Sequence, residues 1–117
     1  VFVVLAAAIL IPIGEELFFR GFAQTAWTRD LGPRTALLRA TAFFAFVHIA
    51  NVDALTFGAG LAQVVLTLVV ILPVGYVLGW LFQQRGLLSA IAGHITYNSL
   101  LLALAYLASK LPEPAGI

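Results

Sequence analysis

The sequence ALTFGAGLAQVVLTLVVILPVGYVLGWLF, residues 54–82, carries no charged side chain. A helix that spans a bilayer needs about 20 mostly apolar residues, and this run exceeds that length. Further apolar runs cover residues 1–27 and 87–108, and a shorter one covers residues 35–50. No strand-like alternation is present, and backbone groups in lipid must pair within their own segment, which favours helices. The sequence therefore predicts an all-α, polytopic transmembrane helix bundle of about four helices, the second of them short or re-entrant.

The composition also indicates a membrane protein. Hydrophobic residues make up 62% of the 117 residues and charged residues 9%, whereas a soluble domain has about 25% charged residues. A soluble fold of this length could not bury so much apolar surface. We therefore expect residues 1–117 to form a single membrane-embedded core. Because the chain begins at Val1 and has no methionine, we expect it to be a segment of a longer chain. The protein would be integral and multi-pass, with the lipid bilayer as its surroundings, and would lie in the plasma membrane if it is bacterial.

The charge and the cysteine content exclude two classes of function. The formal net charge is +1 and no basic run of the kind that binds phosphate backbones occurs, so nucleic acid is not an expected partner. The chain has no cysteine, which excludes a cysteine nucleophile. Any catalytic chemistry must come from other side chains.

Turn-forming residues separate the apolar runs. They lie at residues 30–33, 51–53 and 85–86, and prolines after residue 111 cannot continue a helix. Pro12 and Pro73 fall inside apolar runs, where membrane helices tolerate proline as a kink. We expect helices joined by short breaks.

Arginine placement predicts the orientation in the membrane. Arg29, Arg34 and Arg39 flank the first break and Arg85 lies in the third, whereas the second break carries only Asp53. Because cytoplasmic loops are enriched in Lys and Arg, the first and third breaks are predicted to face the cytoplasm. Aromatic residues near the ends of the runs are predicted to lie in the interfacial belt, namely Trp27, Trp80 and Tyr106.

Six strongly polar side chains lie deep inside the apolar runs. An ionisable group at the centre of a membrane helix costs about 2.5–3.5 kcal/mol on insertion scales, so such residues usually mark function. The six residues are Glu15, Glu16, Arg20, His48, His94 and Asn98.

The spacing of these residues indicates which of them act together. Glu16 and Arg20 form an i,i+4 pair with the acid first, so they can neutralise each other on one helix face. Glu15 points about 100° away from Glu16 around the helix and is freer to act on another group. His94 and Asn98 are also i,i+4, so both project into the same space.

Their depths in the membrane are predicted to match. At about 1.5 Å per residue, Glu15 and His94 each lie about 10 Å from the cytoplasmic boundary, and His48 lies about 13 Å from it. Phe44, one turn before His48, can buttress its ring. One polar cavity in the cytoplasmic half of the bilayer is therefore expected to be lined by Glu15, His48, His94 and Asn98.

Three short motifs occur in order along the chain. EExxxR covers residues 15–20, FxxxH covers residues 44–48 and HxxxN covers residues 94–98. On hydrophobic helices, this trio resembles the CPBP family of intramembrane glutamic endopeptidases. That family comprises type II CAAX prenyl endopeptidases and bacteriocin-processing or immunity proteins, also called the Abi family. The resemblance spans residues 15–98, most of the chain.

The resemblance implies a protease that uses no metal and no other cofactor. An activated water attacks the scissile peptide carbonyl, and side-chain donors receive the resulting oxyanion. The implied partner is a membrane-associated peptide or protein substrate, for which a prenylated CAAX tail is one option. By resemblance, water activation falls to Glu15 and His48, the oxyanion hole to His94 and Asn98, and support of the site to Glu16 and Arg20.

Other functions remain open at this point. Glu15, His48 and His94 could supply a two-histidine, one-carboxylate zinc site, although the chain has no HExxH motif. A non-catalytic immunity or scaffold protein of the same family could retain the same residues. A transporter could use Glu15 as a proton relay, but the chain shows no repeated halves.

Overall fold

Helices make up nearly all of the computed structural model, which describes residues 2–50 and 56–111. No strand occurs within these two ranges. The predicted all-α bundle is confirmed. Its helices are α1 (Phe2–Leu31), α2 (Pro33–Ile49), α3 (Phe57–Arg85) and α4 (Leu87–Ala108).

Two glycines with positive φ end the first and third helices. Gly32 (φ 79°) separates α1 from α2, and Gly86 (φ 84°) separates α3 from α4. This left-handed region is open to glycine because glycine has no Cβ. Each turn is therefore a single residue, and the predicted breaks at residues 30–33 and 85–86 are shorter than expected.

The helix ends differ from the predicted runs by a few residues. The α1 helix continues past residue 27 to Leu31, and α2 begins at Pro33 because proline is well tolerated at the first position of a helix. The predicted break at residues 51–53 and the tail after residue 111 lie outside the described residues.

Three helices are long and apolar enough to cross a membrane: α1, α3 and α4. With 17 residues, α2 is about 26 Å long, which is less than the roughly 30 Å hydrocarbon thickness of a bilayer. Large apolar side chains such as Leu66, Val69 and Leu104 are exposed on the outer faces. The chain is thus an integral, multi-pass membrane protein with one helix shorter than a full span, as the sequence predicted.

Two stretches of α1 have π-helical winding. One covers Ala6–Leu10 and ends just before Pro12, and the other covers Leu17–Gln24. Proline cannot donate to the carbonyl one turn earlier and its ring clashes with that turn, which favours local rewinding. The second stretch follows Glu16 directly and contains Arg20, and π turns often mark functional positions in helices.

The short helix α2 supplies much of the buried core. It packs along α3 and against α1. Its inward face follows helical spacing and is lined mostly by small residues, so its neighbours approach closely. The buried residues of this face are Ala36, Leu37, Ala40, Thr41, Phe44 and Ala45.

Two glycines on α3 permit this close approach. A Cβ added at Gly75 would lie 3.1 Å from a ring carbon of Phe44. A Cβ added at Gly79 would lie 2.7 Å from Leu37 Cδ1 and 3.0 Å from Gln24 Oε1. Leu37 and Gln24 are both buried, so neither can move aside without disturbing the core.

We expect Gly79→Ala to destabilise the bundle. The new methyl group must displace Leu37 and Gln24, and overpacking of this kind costs about 1–3 kcal/mol. The measurement is the loss of helical circular dichroism on heating in detergent. Gly58→Ala on the same helix is the matched control, because a Cβ there meets nothing within 4 Å. Equal melting temperatures for the two variants would contradict the assigned packing.

Candidate active site

The carboxylate of Glu16 lies at the centre of the polar cluster. Its side chain is fully buried. Glu16 Oε1 accepts a hydrogen bond from Arg20 Nη1 at 2.8 Å and a second from His94 Nδ1, also at 2.8 Å. The Arg20 contact confirms the predicted i,i+4 pair. The His94 contact was not predicted, and it joins α1 to α4.

Arg20 connects α1 to two other helices. Its Nη2 donates to the backbone carbonyl of Gly75 on α3 at 2.9 Å. Its guanidinium carbon lies 4.6 Å from the ring centroid of Phe44 on α2, within the range of a cation–π contact. Arg20 is itself fully buried. Its positive charge is neutralised by Glu16, and the Gly75 carbonyl and the Phe44 ring stabilise it further.

Gln24 extends this row of donors by one more turn. It is fully buried, and its Nε2 donates to the backbone carbonyl of Gly79 at 3.0 Å. Arg20 and Gln24 are four residues apart on α1, and they donate to the carbonyls of Gly75 and Gly79, which are four residues apart on α3. Sequence analysis missed Gln24, although its spacing of four residues from Arg20 was a usable signal.

Glu15 is more accessible than Glu16. Its side chain is 27% exposed, and its Oε2 lies 3.6 Å from His94 Nε2. His94 therefore lies between two carboxylates, with Nδ1 bonded to Glu16 and Nε2 facing Glu15. The Glu15 separation is longer than a hydrogen bond but within the range of an ion pair.

His48 reaches the cluster through Phe44. Its Nδ1 lies 2.7 Å from the carbonyl oxygen of Phe44. A carbonyl can only accept, so this contact assigns the proton to Nδ1 and leaves the lone pair on Nε2. The ring centroid of Phe44 lies 4.3 Å from that of His48 and 5.8 Å from that of His94. The predicted buttressing of His48 by Phe44 is confirmed.

An open groove adjoins His48. It has a volume of about 350 Å³ and runs between α2 and α3. Its other lining residues are Leu66, Thr67, Val70 and Ile71. The lining is mostly apolar, so the His48 imidazole lies beside an apolar surface.

Asn98 lies one turn after His94 on α4 but is bonded elsewhere. Its Nδ2 donates to the backbone carbonyl of Ala7 at 3.1 Å. Ala7 belongs to the first π-helical stretch of α1, so this bond ties that stretch to α4. An amide nitrogen has a second hydrogen, which remains able to donate.

The predicted site residues therefore form a connected cluster with unequal contacts. Glu15, Glu16, Arg20 and His94 are in contact; His48 joins them through a phenylalanine ring, and Asn98 is held by the α1 backbone. In residues 2–50 and 56–111, no hydrogen bond joins His48 to Glu15, and no three acidic or histidine side chains are grouped as metal ligands. The shared cavity and the role of each residue stay predictions.

Comparison with protein families identifies the group to which this arrangement belongs. A family model described as type II CAAX prenyl endopeptidase Rce1-like matches residues 1–100. The chain belongs to this family. The match contains all six predicted site residues and confirms the resemblance that the three motifs indicated. No curated protein and no solved structure matches the chain.

Membership of the Rce1-like family is found here together with a membrane-type helical fold. The family is named for an endopeptidase, and the chain has three helices long and apolar enough to cross a membrane.

We expect Arg20→Ala to reduce the stability of this Rce1-like chain. The change leaves the Glu16 carboxylate buried with one partner fewer and removes the bond to Gly75. Breaking a buried pair in this way costs about 3–5 kcal/mol. The measurement is the yield of monodisperse protein together with its melting temperature. Arg39→Ala, an exposed arginine on α2, is the control. Full stability of Arg20→Ala with loss of turnover alone would show that Arg20 serves chemistry instead.

Proposed function

We propose that the chain is an intramembrane endopeptidase that hydrolyses a peptide bond in a membrane-associated protein, with a prenylated CAAX-type tail as substrate. The observation that carries the proposal is the Rce1-like match over residues 1–100, which contains the Glu15, Glu16 and His94 cluster. Both the family and the geometry support hydrolysis by carboxylate and imidazole groups.

Water activation is assigned to Glu15 and His48. Glu15 is the more accessible of the two adjacent carboxylates. The Nδ1–H of His48 is held by the Phe44 carbonyl, so its Nε2 can accept a proton. One of these groups takes a proton from water as its oxygen forms a bond to the scissile carbonyl carbon. The proton then passes to the leaving amine when the carbon–nitrogen bond breaks.

The oxyanion that forms in this step is assigned to His94 and Asn98. Fixed donors aimed at developing charge in a site poor in water contribute strongly to catalysis. Because His94 Nδ1–H donates to Glu16, its Nε2 can donate to an oxyanion only when the ring carries both protons. Asn98 would use the amide hydrogen that is not bonded to Ala7.

Glu16 and Arg20 are assigned to holding the site together. Glu16 fixes the orientation of the His94 ring through Nδ1, as second-sphere carboxylates commonly do for functional histidines. Arg20 neutralises Glu16 and anchors it to α3. Neither side chain is accessible to a substrate, since both are fully buried.

A cleavage assay with a farnesylated CAAX peptide in detergent tests the activity. We expect Glu15→Gln to lower kcat by about 10²–10⁴-fold, because the amide cannot accept a proton from water. Unchanged melting would show that the loss is chemical. Asp30→Asn, an exposed acid at the end of α1, is the matched control and should retain full activity. Wild-type turnover by Glu15→Gln would refute the assignment. Absence of cleavage across prenylated and unmodified membrane peptides would favour the immunity or scaffold function.

Exhaustive chelation distinguishes the glutamate mechanism from a zinc enzyme. We expect activity to survive dialysis against a strong chelator. A zinc ion would claim Glu15, His48 and His94 together as ligands, and Glu16, bonded to both Arg20 and His94, would not be free to act as the base. Metal content is measured by elemental analysis. One equivalent of zinc, with activity lost on removal and restored on its return, would establish the metalloprotease instead.

A further inference from the structure

The α1–α2 turn and the end of α3 lie side by side at one end of the bundle. Gln83 Nε2 on α3 donates to the backbone carbonyl of Pro33 at 2.7 Å. This bond brings the turn at Gly32 next to the end of α3, where the turn at Gly86 begins. Charges on either turn therefore act on the same patch of the membrane interface.

This end of the bundle is strongly basic. Arg29 lies in the last turn of α1, Arg34 in the first turn of α2 and Arg85 at the end of α3, and all three are exposed. Asp30 is the acidic residue of the same turns. At the opposite end, the described residues include Lys110, whose ammonium lies 5.2 Å from the ring centroid of Tyr106. The charge is thus concentrated at one membrane surface, the one predicted to be cytoplasmic.

A groove of about 400 Å³ opens between the end of α1, the start of α2 and the last turns of α3. Thr25, Thr28, Arg29, Pro33, Phe82 and Gln83 line it. The two threonine hydroxyls donate to carbonyls of their own helix, at 2.9 and 2.7 Å, and the Gln83 amide donates to Pro33. The guanidinium of Arg29 has no hydrogen-bond or ion-pair partner within the described part of the chain. It is the free cationic donor of the groove.

The groove lies at the level of lipid headgroups. Trp27 lies about one turn inside the end of α1, and Trp80 lies about one and a half turns inside the end of α3. Tryptophan prefers the interface between headgroups and hydrocarbon. The apolar ring of Phe82 and the cationic Arg29 both line the groove. Arg34 lies next in sequence to the lining residue Pro33, and Arg85 lies two residues after the lining residue Gln83. A ligand that fits would have an anionic head and an apolar body.

We infer that this groove binds an anionic phospholipid, with Arg29 paired to the headgroup phosphate. A guanidinium can bind a phosphate in bidentate fashion, and Arg34 and Arg85 add attraction for an anionic headgroup near the membrane surface. Phe82 contacts the apolar portion next to the headgroup. This site is separate from the proposed peptidase site, since Arg29 lies about 20 Å along α1 from Glu16.

Tryptophan fluorescence of the full chain in non-ionic detergent measures this binding. The only two tryptophans of the chain, Trp27 and Trp80, both lie near the groove. The probes are dihexanoylphosphatidylglycerol, dihexanoylphosphatidylcholine and inorganic phosphate. We expect saturable binding of the phosphatidylglycerol, at least about tenfold tighter than that of the phosphatidylcholine and weakened by high salt.

Matched variants identify the groove as the binding site. Arg29→Gln should weaken phosphatidylglycerol binding about fivefold, and combining it with Arg34→Gln and Arg85→Gln should weaken it about a hundredfold. Lys110→Gln, at the opposite end, should bind like the parent chain, and Arg29→Lys should retain part of the affinity. If the triple variant fails to fold, the single variants and the salt dependence still decide the result.

Three outcomes would overturn the inference. Equal affinities for the phosphatidylglycerol and the phosphatidylcholine would show that the groove does not distinguish an anionic headgroup from a zwitterionic one. Tight binding of inorganic phosphate would show a free-phosphate site instead of a lipid site. Unchanged binding by Arg29→Gln, with Lys110→Gln weakened, would place the lipid at the other end of the bundle.

Discussion

The buried carboxylate of Glu16 is the interaction on which the rest of the site depends. An unpaired carboxylate in an apolar interior is too costly to persist, so it must have partners. Arg20 supplies charge from the same helix and His94 supplies a donor from α4, each at 2.8 Å. The ion pair with Arg20 allows the Glu16 charge to be buried within a membrane helix. Because the same Glu16 oxygen also bonds to His94, this ion pair fixes the position of His94. Stability and the geometry of the candidate site therefore cannot be separated at this residue.

The α3 helix packs against α1 and α2 in a different way, through small residues and backbone carbonyls that accept hydrogen bonds. Gly75 and Gly79 let α2 and the α1 side chains approach the α3 backbone, and their carbonyls receive Arg20 and Gln24. In lipid there is little hydrophobic drive between helices, so close packing and hydrogen bonds must hold the bundle. Phe44 fills the space beside Gly75 and contacts Arg20, His48 and His94, so one aromatic ring connects packing to the candidate chemistry.

Much of the site could be predicted from local spacing, and the remainder could not. The i,i+4 pair of Glu16 and Arg20 and the buttressing of His48 by Phe44 lie within one helix each, and both were predicted. The bonds from His94 to Glu16 and from Asn98 to Ala7 join residues distant in sequence. Matched depth indicated that such residues lie at a similar level, but depth does not specify which atoms meet across helices.

The sequence by itself determined that the chain lies in a membrane, that it is all-helical, how many helices it has and to which family it belongs. These follow from the lengths of the apolar runs and from three short motifs, which are local properties. Tertiary structure decided that Glu16 serves two partners, that Gln24 belongs to the polar row and that Asn98 is held by the α1 backbone. It also decided that Gln83 bonds to the turn at Pro33, which forms the basic groove. These outcomes depend on how the helices rotate about their axes, and that rotation is set by packing between helices, including the π turns of α1 and the α3 glycines.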